Sequence, residues 1–147
     1  MGLMNIFKVS GSGLSAQSLR MNTIASNISN AQSTASSVDD VYRARHPVFK
    51  TREPGFADVF TSAQGSFNDA GQGVEVEGVV ESQAPLPKRY EPNHPMADEA
   101  GYVTYPNVNV VEEMADMISA SRAYQLNASM LDAGRKMAER LLAVGRG

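Results

Sequence analysis

The 147-residue chain has no cysteine, which excludes disulfides and thiolate-held metals and leaves the redox compartment open. Long apolar runs are missing too, so nothing in it is suited to cross a bilayer as a helix. After Lys8 the chain reads "VSGSGLSAQS", where a secretory signal needs continuous apolar residues. The expectation is a protein that stays in the cytoplasm or leaves by a route that reads no such signal. Positive charge is not in excess: 13 Lys and Arg against 16 Asp and Glu give a net charge of -3, which argues against a binder that works by neutralising nucleic-acid phosphates. Proline is absent from both ends, all seven falling between Pro47 and Pro106, so the ends are free of the strongest helix breaker. Between Met1 and Val38 charge itself nearly vanishes, with Lys8 and Arg20 the only ionisable side chains.

What is present at the ends is helical periodicity. Phe7, Leu14, Met21 and Ile28 recur at intervals of seven, with Ile24 and Ala31 three residues further on, a coiled-coil-like stripe. The alternative is an irregular Ser-rich N-terminus with accidental spacing, because Gly11 and Gly13 each cost roughly 1 kcal/mol inside a helix. In "MNTIASNISNA", residues 21–31, the apolar positions are separated by Ser, Asn and Thr alone, so the far side of this helix lacks the charges of a water-facing surface. The C-terminal candidate starts at a readable signal: Asn109 caps, and Glu112 stands three residues later. Glu112, Glu113 and Asp116 crowd its first turns while Arg135, Lys136 and Arg140 lie near its end, as the helix dipole favours. Met114, Met117, Ser121, Tyr124, Ala128, Leu131, Arg135, Ala138 and Leu142 form its stripe, interrupted only by Arg135. From Val110 to Val144 it would run roughly 50 Å, too long to bury itself on a small middle segment.

The middle changes character. "DDVYRARHPVFKTR" is a charged, extended connector, and "GVEVEGVV" alternates Val with Glu in the period of a half-buried strand. Further short strands are expected around residues 48–50 and 102–105, with turn-rich stretches, "SQAPLPKRYEPNHP" and "NDAGQG", between them. The fold class that follows is α+β. Long N- and C-terminal helices pair as a coiled-coil-like domain, with a small antiparallel β unit and extended loops inserted between them. Residues 1–35 are read as the N-terminal helix of that domain and 36–72 as an extended connector with room for a short helix. Residues 73–106 are read as the β unit with its loops and 107–147 as the C-terminal helix.

Site chemistry is sparse. His46 and His94 each precede a proline and have no metal-ligand spacing. "SGSG" at residues 10–13 lacks the strand and the Lys-Ser/Thr ending of a phosphate loop, and Gly71 and Gly73 precede a strand where a dinucleotide fingerprint opens a helix. Asp98 and Glu99 are adjacent turn residues and do not flank a substrate. The sequons at Asn27 and Asn127 fall on predicted helices and are read as coincidence. Of the eight methionines, those at 114, 117, 130 and 137 are core filler or a plastic contact surface. No catalytic, cofactor-binding or metal-binding residue is expected, and no cofactor.

"GLSAQSLRMNTIASNISNA" resembles the N-terminal signature of the bacterial flagellar rod, hook and hook-associated axial proteins. "PNVNVVEEMADMISASRAYQLNASML" resembles their C-terminal signature, with its Asn-Val-Asn-Val entry and its Ser-Arg-Ala-Tyr-Gln-Leu-Asn centre. "YRARHPVF", "VVESQAP" and "YEPNHPMADEAGYVTYPNVNVV" are most similar to the short subunits of the proximal rod. The loop "QSTASSVDD" departs from the Asn-Thr-x-Gly-Tyr continuation of the longer axial proteins.

The resemblance implies a structural subunit that self-assembles with other rod proteins and copies of itself into the axial drive shaft. It implies export as an unfolded chain by the flagellar type III export apparatus, an export-gate adaptor beneath the rod base, a place in the periplasmic rod, and no cleavable signal peptide, nucleic acid or small-molecule substrate. Subunit contacts on the N-terminal helix are then expected at Leu14, Gln17, Met21, Asn22, Ala25, Ser26, Asn27, Ile28, Asn30 and Ala31. On the C-terminal side they are expected at Asn107, Val108, Val110, Met114, Met117, Ser121, Arg122, Tyr124, Gln125, Asn127 and Leu131. The alternative is a cytoplasmic helical binding module such as a type III secretion chaperone, which would share the size and acidity but would have no reason to keep its first helix uncharged.

Overall fold

The computed structural model describes residues 3–35, 37–53, 60 and 73–145. Helix α1 is Leu3–Asn30, a 3-10 turn follows at Val38–Asp40, and strands β1 (Arg45–Thr51), β2 (Val74–Glu81), β3 (Lys88–Tyr90) and β4 (Tyr102–Thr104) lead to helix α2, Val110–Val144. The two terminal helices are in contact, and the strands form two separate two-stranded antiparallel sheets, β1 with β2 and β3 with β4. β3 was not foreseen: its three residues lie in the stretch read as turn-rich, too short for a period-two pattern to register. The extended-connector reading of residues 54–59 and 61–72 lies outside the described residues.

The chain divides into two compact units, one of Leu19–Val48 with Gly78–Ala120 and one of Met1–Ser18, Phe49–Glu77 and Ser121–Gly147. In both, the helix faces turned inward are small or polar. The buried positions of α1 are Ser10, Ala16, Thr23, Ile24 and Asn27, while Phe7, Leu14, Met21 and Ile28 are half-buried. On α2 the buried positions are Glu113, Ala120 and Gly134, and Met114, Tyr124 and Leu142 of the expected stripe stand exposed. On α1 the inner face thus keeps Ile24 and borders the half-buried stripe, whereas on α2 it is turned away from several of the large apolar residues. The physical reason is close approach: in the second unit a methyl on Gly13 would lie 2.8 Å from Asn127 Nδ2, and one on Gly134 would touch Ile6 and Phe7 at 3.5–3.6 Å. Gly11, by contrast, has nothing within 4 Å of where its methyl would be.

Buried apolar side chains among the described residues are few: Ala16, Ile24, Val41, Ala44, Val103 and Ala120. At about 25 cal/mol per Å² this is a thin hydrophobic contribution for a chain of this length. Polar pairing carries correspondingly more of the specificity.

Candidate functional site

The densest polar arrangement lies in the unit of Leu19–Val48 and Gly78–Ala120, around Asn27. This side chain is fully buried, and its amide makes four hydrogen bonds. Oδ1 accepts from the Arg45 backbone N–H at 2.9 Å and from the Tyr42 hydroxyl at 2.8 Å. Nδ2 donates to the Arg45 carbonyl at 2.9 Å and to Glu113 Oε1 at 2.9 Å. An N–H on one side and a carboxylate on the other fix which end of the amide is oxygen. Asn27 therefore pairs with both polar groups of the Arg45 peptide backbone, as an opposing strand residue would. Because the Tyr42 hydroxyl gives its hydrogen to Asn27, Ser26 Oγ at 3.3 Å is the donor of the remaining contact.

A second asparagine grips the neighbouring residue. Asn107 Oδ1 accepts from the Ala44 N–H at 2.8 Å, and its Nδ2 donates to the Ala84 carbonyl at 2.9 Å. The Ser82 N–H donates to the Ala44 carbonyl at 2.7 Å. Two residues on, Asn109 caps α2, its Oδ1 accepting from the Val111 N–H at 3.1 Å. The expected cap is present, and the Asn-Val-Asn entry turns out to hold two different jobs.

Electrostatics follow from this layout. Burial pushes the Glu113 carboxyl above its ordinary value, opposed by the hydrogen bond from Asn27 and by His46. Arg20, one of the two cations in the N-terminal stretch, meets Asp116 of α2 at 2.8 Å. Both side chains are substantially exposed, so that pair adds about 0.2–1 kcal/mol. Arg45 lies over the Tyr42 ring at 5.3 Å and reaches Glu81 Oε1 at 3.0 Å. In the other unit Ser12 Oγ accepts from the Val74 N–H at 3.1 Å, seating the start of β2 against α1 beside Gly73, whose φ of 85° suits glycine.

The residues considered for chemistry have structural duties. Asp98 Oδ1 accepts from the N–H groups of Ala100 (3.0 Å) and Tyr102 (2.8 Å), closing the turn before β4, and His94 Nδ1 accepts from the Met96 N–H. Among the described residues no group of three or more His, Cys, Asp or Glu is placed to hold a metal, and no helix is long and apolar enough to cross a membrane.

Of the expected contact residues, Asn27 is buried within the chain. Leu14, Gln17, Met21, Ser26, Ile28, Asn30 and Ala31 are half-buried, and Asn22 and Ala25 are exposed. Gln17 Oε1 is buried without a hydrogen-bond partner. On the C-terminal side Asn107, Val108, Val110, Met117, Ser121, Asn127 and Leu131 are half-buried, and Met114, Arg122, Tyr124 and Gln125 are exposed. Tyr42, Arg45 and Glu113 were not singled out for this site by the sequence. Their partners lie 15, 18 and 86 positions away, and no local pattern announces such a meeting.

Helices from the two chain ends thus pair with each other and carry small sheets between them. Residues 7–35 match the family described as flagella basal body rod protein, and residues 99–144 match the C-terminal family of the flagellar basal body rod FlgEFG proteins. The chain is 43% identical over 147 residues to the flagellar basal-body rod protein FlgC of Escherichia coli O6:H1, covering 99% of this chain and 100% of that one. It is equally similar, over the same shares, to FlgC of Salmonella typhimurium. To FlgC of Bacillus subtilis it is 32% identical, with 94% of this chain and 95% of the relative covered. The chain belongs to the FlgC family of flagellar basal-body rod proteins. It is a structural subunit of the rod that assembles with other rod proteins, and not an enzyme.

Proposed function

We propose that the protein builds the proximal rod by packing the outer faces of its two terminal helices against copies of itself and against other rod subunits. One observation carries this reading: α1 is nearly uncharged, while the large apolar side chains of α2 point away from it. Val111, Met114 and Ile118 in one unit, and Leu126, Met130, Met137 and Leu141 in the other, are all more than half exposed. Exposed apolar surface on this scale marks an interaction site. The contacts take place at the exposed members of the expected set, Asn22, Ala25, Met114, Arg122, Tyr124 and Gln125, with the half-buried ones at the margin. Asn27 and Asn107 serve instead to shape the chain. The subunit reaches its place through the flagellar type III export apparatus, unfolded and without a cleaved signal, and the export-gate adaptor lies beneath it.

The test is Ala25→Glu, paired with Asn93→Glu in an exposed turn as control. In the isolated chain both should change stability by no more than about 0.5 kcal/mol. If Ala25 meets a neighbour, each copy buries an unpaired carboxylate at roughly several kcal/mol, and the variant should be missing from purified basal bodies and leave cells non-motile. Wild-type swimming and incorporation of Ala25→Glu would overturn the reading.

A further inference from the structure

The β1–β2 ribbon has two edges, and each edge of a two-stranded sheet is a row of outward N–H and C=O groups on which another chain can add a strand. The hydrogen bonds between the strands fix which residues face outward. The Ser82 N–H donates to the Ala44 carbonyl at 2.7 Å, and the Arg52 N–H donates to the Gly73 carbonyl at 3.1 Å. Ala44 and Arg52 are eight residues apart, an even number, so β1 alternates regularly between them. Its even-numbered residues turn their peptide groups to β2, and Arg45, Pro47, Phe49 and Thr51 turn theirs outward.

Gly73 and Ser82 both face β1 yet are nine residues apart, an odd number that regular alternation forbids. β2 therefore holds one extra residue, a β-bulge. The ion pairs across the ribbon agree: Lys50 meets Glu75 at 3.1 Å and Arg45 meets Glu81 at 3.0 Å, partners five residues apart on β1 and six apart on β2. The bulge thus lies between Glu75 and Glu81, the stretch that contains Gly78, where an added methyl would meet nothing within 4 Å.

Each edge is interrupted by different means. On β1 both outward groups of Arg45 are taken by the Asn27 amide, and the next outward residue is Pro47, which has no N–H to offer. On β2 the outward Val74 N–H goes to Ser12 Oγ at 3.1 Å, and the outward Glu81 carbonyl accepts from Gln83 Nε2 at 3.3 Å. Between those two points the bulge breaks the row. Neither edge keeps the regular succession of groups that a third strand needs.

We propose that the β1–β2 ribbon is built to refuse strand addition, with Asn27, Pro47, Ser12 and the β2 bulge guarding its edges, so that copies of the chain brought close together do not join sheet to sheet. The proposal goes beyond the packing of the terminal helices and does not depend on which helix faces meet. A subunit that assembles through chosen surfaces gains specificity when an unspecific one is closed.

The experiment follows association of the purified full chain over a range of concentrations, by sedimentation and by the infrared amide band of intermolecular sheet. Association through helices sediments without that band. Pro47→Val returns an outward N–H to the middle of β1, and deletion of Gly78 removes the extra residue of β2. Each should raise the intermolecular-sheet signal at least roughly fivefold over wild type at equal concentration. Thr51→Val places the same branched side chain on the same edge without adding an N–H, and it should match wild type. Circular dichroism identifies which variants keep the fold, and either edge variant that keeps it decides the matter. A folded edge variant with no gain in the sheet band would overturn the proposal. So would an equal gain in Thr51→Val, which would assign the effect to side-chain propensity, or a strong sheet band in wild type itself.

Discussion

Replacing Asn27 by leucine removes four hydrogen bonds while roughly keeping side-chain volume, so the cost can be worked from the groups left behind. The Arg45 N–H and carbonyl lose their partners, and the Glu113 carboxylate loses the donor at 2.9 Å. The Tyr42 hydroxyl keeps Ser26 at 3.3 Å and is the least affected. An unpaired buried polar group costs about 1–3 kcal/mol, and a charged one more. With three such groups and partial relaxation toward water, Asn27→Leu should lose about 4 kcal/mol, a large share of the roughly 5–15 kcal/mol that holds a domain. Urea unfolding followed by circular dichroism should show a midpoint about 2 M lower, given a slope of about 2 kcal/mol/M. Asn27→Asp makes the sharper test. The introduced carboxyl keeps the acceptor role of Oδ1 but faces the Glu113 carboxylate where an amide donor stood. Two carboxylates that close cannot both be ionised, so the pair takes up a proton on folding and its pKa rises. The folded state then binds more protons than the unfolded chain, and stability falls as pH rises through the raised pKa. Asn27→Asp should therefore be severely unstable near neutral pH and recover toward wild type in mild acid, a trend steeper than the one the raised pKa of Glu113 gives wild type. A loss under about 1 kcal/mol for Asn27→Leu, or no acid recovery for Asn27→Asp, would refute the account of this network.

Two further outcomes follow from the same structure. Gly11→Ala should stabilise the isolated chain by about 0.5–1 kcal/mol, because its methyl meets nothing within 4 Å, whereas Gly13→Ala should gain nothing or lose, its methyl arriving 2.8 Å from Asn127 Nδ2; equal urea midpoints for the two would contradict the close approach at Gly13. Glu113 has a folded pKa raised from 4.5 mainly by burial, so its favourable share is complete below that value and is lost as pH rises through the folded pKa. The stability of wild type relative to Glu113→Gln should accordingly decline as pH rises above about 4.5, and a difference that stays flat or grows would show that burial does not dominate there.

The helices were legible because their signals are local. Proline is absent from both ends, Asn109 caps, and α2 begins at Val110 as the cap requires. β2 was legible from the Val–Glu alternation, and β3 was not, since Lys88–Tyr90 is three residues following two prolines. The inner face of the helices was hidden for a different reason. Periodicity counts apolar side chains, yet the chain turns Ala16, Thr23, Asn27, Glu113, Ala120 and Gly134 inward and leaves Met114, Ile118, Met130 and Met137 outside. In a subunit of an assembly the apolar stripe sums every contact a helix will make, those within the chain and those beyond it. The family signatures at both ends were readable as residue strings. Asn27 stood in one of them looking no different from Asn22 or Asn30, and only its partners distinguish it.

Asn107 and Asn27 hold consecutive residues, Ala44 and Arg45, one through the first peptide N–H and the other through the next N–H and carbonyl. Together they act as a gauge of chain length. Deleting one residue between α1 and Ala44 would advance the strand by about 3.3 Å and turn its side chains to the opposite face, presenting both asparagines with the wrong peptide groups. Length changes must then be absorbed on one side of this gauge or the other, and never across it. A rod built from many subunits carries any error of pitch forward, and a chain that checks its own register at two adjacent residues enters the assembly already measured.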